Sequence, residues 1–121
     1  MEETEIVCFQ LISNAGAARS CYFEALQKFR NGEETAGQEL FAQGQEHYRE
    51  AHQVHGQLVQ KEAGGDTVWM SLLMTHAEDL MMSAETTGEL AKELMAVYGE
   101  IHGLKSEFAS LKEQLLQVES D

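Results

Sequence analysis

The sequence predicts an all-α protein, an antiparallel three-helix bundle with a helical C-terminal extension. Three observations carry that expectation. The 121 residues include no proline, so no residue is bound to break a helix from within. Apolar residues recur at steps of three and four over three long stretches, the period of a helix face rather than of a strand. Between those stretches, Asn31-Gly32 and Gly64-Gly65 supply stops, since Gly and Asn accept the left-handed conformation at a helix end.

The first helix is expected over residues 3–30. Ile6, Phe9, Leu11, Ile12 and Ala15 begin its apolar face, and Ala18, Tyr22, Ala25, Leu26 and Phe29 continue it. Gly16 lies inside this helix, at a cost of about 1 kcal/mol relative to Ala, which suggests a close backbone approach. The second helix, 34–62, opens on acidic residues that suit the positive end of its dipole. Its contact face reads Leu40, Phe41, Gly44, Tyr48, Ala51, His52, His55, Leu58 and Val59, with Gly37, Gly44 and Gly56 on or near it. Asp66 is the expected N-cap of a third helix beginning at Thr67. The helical pattern persists past Tyr98, where Ile101, Leu104, Phe108, Leu111, Leu115 and Val118 keep a period near 3.5. Residues 1–100 thus form one unit and 101–121 a helical extension or a fourth, coiled-coil-like segment.

Composition narrows the function classes. With 43% hydrophobic but only 7% aromatic residues, Ala, Leu and Met must fill the interior of a single modest domain. Twenty-one acidic residues against eight basic ones give a net charge of -13, which repels phosphate backbones and anionic membrane surfaces. Nucleic acid is therefore excluded as a partner, and no apolar run approaches the roughly 20 residues of a membrane span. The start, Met1-Glu2-Glu3-Thr4-Glu5, is acidic, the reverse of a signal peptide. Cys8 and Cys21 stand about 20 Å apart along one helix, beyond bridging distance. Free thiols and an acidic start indicate a cytoplasmic protein.

The third helix carries the chemistry. At about 100° per residue, Leu72, His76, Leu80, Ser83 and Thr87 share one stripe, Asp79 lies about 60° from His76, and Glu78 falls roughly opposite. One imidazole and one carboxylate thus stand on an otherwise apolar wall. A histidine on such a face is more often a packed core residue than a reactive one, and the stripe itself suits either core packing or self-association. If reactive, a lone imidazole acts as a nucleophile in its neutral form, which apolar surroundings favour. His52 and His55 could make half a metal site. A di-metal bundle site needs Glu-x-x-His on two helices, and that spacing is absent.

The stretch Ile12-Ser13-Asn14-Ala15-Gly16-Ala17-Ala18-Arg19-Ser20 resembles the first-helix motif of the lactose/cellobiose-type enzyme IIA proteins of the bacterial sugar phosphotransferase system. Glu24-Ala25-Leu26, Ala51-His52, Glu62-Ala63-Gly64 and Leu72-Leu73-Met74-Thr75-His76-Ala77-Glu78-Asp79-Leu80-Met81 follow in the family's order. The resemblance covers roughly residues 3 to 100. It implies a homotrimer in the cytoplasm, with His76 phosphorylated by the phosphocarrier HPr. His76 would pass the phosphoryl group to a cysteine of a cognate IIB component, with a membrane IIC component, in disaccharide uptake (lactose, cellobiose or chitobiose type). It also implies a structural divalent cation, Mg²⁺ or similar, held by Asp79 of each subunit near the three-fold axis. Arg19 is read as structural. The family's His-Ala-Gln-Asp-His appears here with Glu78 and Leu80, and its Gln-Thr after Ala51-His52 is replaced by His55-Gly56. The alternative reading is a diverged, non-catalytic helical interaction or regulatory module.

Overall fold

The computed structural model describes residues 3–120, so Met1, Glu2 and Asp121, and with them the first residues of the acidic start, lie outside the described residues. Three helices follow one another: α1 (Glu3–Arg30), α2 (Glu34–Ala63) and α3 (Leu72–Ser120), with no strand among the described residues. The first two turns close in the same way. Gly32 (φ 82°) and Gly65 (φ 100°) take the left-handed conformation that a side chain would strain. After α1, the Glu33 N–H donates to the Lys28 carbonyl (2.8 Å) and the Gly32 N–H to that of Phe29 (3.0 Å). After α2, Asp66 donates to Lys61 and Gly65 to Glu62, both at 3.1 Å. Each is the paired-bond ending that satisfies the last carbonyls of a helix.

That second turn displaces the expected start of α3. Asp66 does not cap it; its N–H closes the end of α2. Residues 66–71 are non-helical, and the β-branched Thr67 and Val68 and the aromatic Trp69 suit an extended path. The cap is Ser71, whose Oγ accepts the Met74 N–H at 3.0 Å. Its carbonyl accepts the Thr75 N–H at 2.9 Å. At the other end, Gly99 and Gly103 do not interrupt the helix. α3 runs through 49 residues without a break, about 74 Å at 1.5 Å per residue, so the C-terminal extension continues α3 instead of forming a fourth segment.

α1 is the central element. Its buried residues Cys8, Leu11, Ala15, Ala18, Tyr22, Ala25 and Phe29 recur at three and four, one helix face. Gly37 of α2 lies against Phe29, and Gly44 against Tyr22, so α2 returns along α1. On α3, Met74 meets Cys8, Gly88 meets Tyr22 and His102 meets Phe29, so α3 runs alongside α1 in the same direction. α3 presents Met74, Ala77, Met81, Ala84, Gly88 and Ala91 to this core.

Small residues let the helices approach closely at Tyr22. A Cβ on Gly44 would fall 2.7 Å from its ring, and one on Gly88 would fall 2.8 Å from it. The ring is thus held between two glycines from different helices. Gly16 and Gly56 meet nothing within 4 Å, so the close approach expected at those two positions is absent from the single chain. Ile6 and Phe9, expected in the core, are 44% and 49% exposed, while Cys8 is buried in their place. The seven-residue spacing from Cys8 through Ala15 to Tyr22 sets the true face about 100–160° away from them. Val59 and His52 likewise point outward. No described helix is long and apolar enough to cross a membrane.

Candidate functional site

The stripe of α3 singled out in the sequence is not its core face. Leu72 is 88% exposed, His76 and Asp79 are exposed, and Leu80, Ser83 and Thr87 are half-buried. The residues interleaved with them, Met74, Ala77 and Met81, are the ones that pack on α1. A packed histidine is therefore ruled out for His76, and no apolar wall covers it within one chain. Asp79 lies one turn on. At 100° per residue it falls within about 20° of Leu72, Leu90 and Val97, a lone carboxylate in a stripe of exposed apolar side chains. Neither His76 nor Asp79 enters an ion pair among the described residues. Trp69 and Met70, 79% and 58% exposed, stand in the segment that leads into this turn.

Glu78 points away from His76, as its position on the helix requires. It faces α2, where its Oε2 lies 2.8 Å from Nε2 of His55. His55 and Glu78 are thus partners of each other. Sequence spacing gave no signal of this, since they sit on different helices 23 positions apart. The pairing also removes His55 from the half metal site, and His52 instead lies beside the Tyr48 ring, 6.1 Å between centroids. His102 donates from Nε2 to the Phe29 carbonyl at 2.9 Å. Among the described residues, no three His, Cys, Asp or Glu side chains of one chain could together hold a metal ion. On the exposed apolar stripe of α3, Asp79 is the carboxylate that would offer a divalent cation a hard oxygen donor, of the kind that Mg²⁺ selects.

No cysteine competes as a nucleophile. Burial pushes the Cys8 thiol above its usual range, with Glu5 and Glu78 adding to it. Burial and then Glu24 raise Cys21, and reactivity resides in the thiolate. Arg19 is exposed, its guanidinium 5.6 Å from the Phe23 ring centroid, an arrangement of surface cation and ring. A concavity of about 470 Å³ opens between α2 and α3 and is lined by Tyr22, Tyr48, Arg49, His52, Glu85 and Glu89. It lies on the opposite side of α3 from His76, by about 180° for Glu85. Burial, reinforced by Glu85, pushes the Tyr48 phenol in this groove up to about 12.

The family described as "PTS system, Lactose/Cellobiose specific IIA subunit" matches residues 6–99. The oligo-β-mannoside-specific EIIA component of Bacillus subtilis (strain 168) is 38% identical over 94 residues, which is 78% of this chain and 86% of the relative. The crystal structure of the cellobiose-specific enzyme IIA from Bacillus anthracis superposes with a TM-score of 0.83 at 38% identity, covering 85% of this chain and 94% of that one. The IIA(chitobiose)–HPr complex of the Escherichia coli phosphotransferase system gives a TM-score of 0.72 at 31% identity, over 84% and 99% of the two chains. The family match runs from α1 through α2 into α3 as far as residue 99, and by these likenesses the chain belongs to the lactose/cellobiose-specific IIA subunit family of the phosphotransferase system.

Proposed function

We propose that the protein is a cytoplasmic phosphocarrier of a bacterial sugar phosphotransferase system, with His76 as its covalent acceptor. The observation that carries this reading is the placement of His76 on a chain that matches the family over residues 6–99. It is a free, exposed imidazole near the start of α3, reachable by a second protein. The exposed Trp69, Met70 and Leu72 beside it supply apolar surface for such a partner. The likeness to a IIA chain in complex with HPr supports HPr as the donor.

In the proposed step, a neutral imidazole nitrogen of His76 attacks the phosphorus of phospho-HPr in line. One N–P bond forms as the donor's N–P bond breaks, so the transfer potential is conserved and no water is consumed. The phosphoryl group then passes to a cysteine thiolate of the cognate IIB component, and a membrane IIC component completes uptake of a disaccharide of the lactose, cellobiose or chitobiose type. The reading includes assembly of the antiparallel three-helix bundle as a homotrimer about the exposed face of α3. Three Asp79 carboxylates would then converge, and like charges at close range require protons or a cation. A divalent ion such as Mg²⁺ would there be structural, neutralising the carboxylates, and takes no part in the transfer.

Incubation with phosphoenolpyruvate, enzyme I and HPr is expected to give one acid-labile phosphate on His76, absent in His76→Ala. Phosphate mapped to His52, His55 or a serine would overturn the assignment. A chain that binds HPr but is never phosphorylated would be the non-catalytic module instead.

A further inference from the structure

α3 outlasts the domain it belongs to. The family match ends at residue 99, and the last side chain of α3 tied to α1 is His102, through the Phe29 carbonyl. From Gly103 to Ser120 every residue is exposed, an overhang of about 27 Å. A free helix of this length is marginal in water. This one also carries Leu104 at 65% exposure, Phe108 at 69%, Leu111 at 56%, Leu115 at 60% and Val118 at 72%.

Those residues are ordered. Leu90, Leu94, Val97, Ile101, Leu104, Phe108, Leu111, Leu115 and Val118 alternate steps of four and three without a break. That is a strict heptad seam with Leu94, Ile101, Phe108 and Leu115 at a, and Leu90, Val97, Leu104, Leu111 and Val118 at d. The core face of α3, Met74 through Ala91, uses the b and e positions instead, so the seam is free along its whole length. The flanking charges then choose the occupant. Glu100 and Glu107 take the g positions, and Lys105 and Lys112 the e positions. In a parallel coiled coil a g residue faces the e residue of the next heptad on its neighbour, which sets Glu100 against Lys105 and Glu107 against Lys112 of a second copy. In an antiparallel pair g faces g and e faces e, leaving acid against acid and lysine against lysine. Among the described residues, neither lysine forms an ion pair within its own chain.

We infer that residues 101–118 form a parallel, in-register coiled coil with the same segment of other copies of this chain. The segment extends the proposed assembly beyond the family domain. It rests on that assembly only for the number of strands.

The test uses the full chain with substitutions confined to the overhang, measured by sedimentation equilibrium over a dilution series. Leu104→Glu with Leu111→Glu is expected to raise the dissociation concentration at least about tenfold, a change of about 1.4 kcal/mol, and to lower helical circular dichroism. Lys105→Glu with Lys112→Glu is expected to weaken assembly at low salt. Adding Glu100→Lys and Glu107→Lys to that variant restores it, because the pairs are re-formed with their signs exchanged. An antiparallel pair has like charges in all three forms, so no weakening by the lysine reversals would overturn the parallel arrangement. A trimer indifferent to Leu104→Glu with Leu111→Glu would overturn the inference while leaving the domain assembly standing. A wild-type chain that is monomeric at micromolar concentration would overturn both.

Discussion

His55 of α2 and Glu78 of α3 meet at 2.8 Å, each with about one quarter of its side chain exposed, and so tie together the two helices that otherwise touch least. A partly exposed pair of this kind contributes at most about 1 kcal/mol. Single and double replacements, His55→Ala, Glu78→Gln and the two combined, are expected to show that coupling in urea melts. Phosphorylation of His76 should be untouched, because Glu78 faces the other way. Independent, additive effects of the two replacements would mean that the pair does not form in solution.

Tyr22 between Gly44 and Gly88 predicts opposite outcomes for one type of substitution. Gly44→Ala and Gly88→Ala each drive a methyl into the ring. Overpacking costs about 1–3 kcal/mol, more than the helix-propensity gain of up to about 1 kcal/mol. Gly56→Ala meets nothing within 4 Å and is expected to stabilise by about 0.5–1 kcal/mol. Thermal melts separate the cases, and a stabilising Gly88→Ala would show that the ring moves aside.

Alkaline stability should depend on Tyr48. Its phenol is pushed up to about 12 in the folded protein against roughly 10 in an unfolded chain. The fold therefore holds the proton more tightly, so this contribution is fully present below about pH 10 and is lost as pH rises towards 12. Tyr22, raised in the same direction by burial, adds to the loss. Urea titrations between pH 9 and 11.5 are expected to fall less steeply for Tyr48→Phe than for wild type. Identical slopes would place the phenol in solvent.

Asp79→Leu tests the origin of the assembly. Replacing a buried charge by apolar volume is often neutral or stabilising, and the surrounding stripe is already apolar. The variant is expected to remain a trimer, to accept phosphate on His76, and to lose any response of its melting temperature to chelator. Dissociation into monomers would show that a cation bridge, and not helix packing, holds the copies together.

Much of this protein is local and so is legible in the chain itself. The two glycine turns, the helical period and the position of His76 on α3 all follow from residues within a turn or two of each other, and the free cysteines from their spacing along one helix. The heptad seam past Tyr98 is equally a property of spacing. What tertiary structure alone decided is which of several apolar faces each helix buries. α1 carries apolar residues on most of its circumference, and contact with two neighbours selects Cys8 over Ile6 and Phe9. α3 starts behind Ser71, whose Oγ accepts the Met74 N–H, and not behind Asp66, which lies in the turn that closes α2. The exposure of His76 and the His55–Glu78 contact belong to the same class. A side chain's environment depends on which helices pack beside it, and that choice minimises exposed area over the whole fold, which no window of sequence contains.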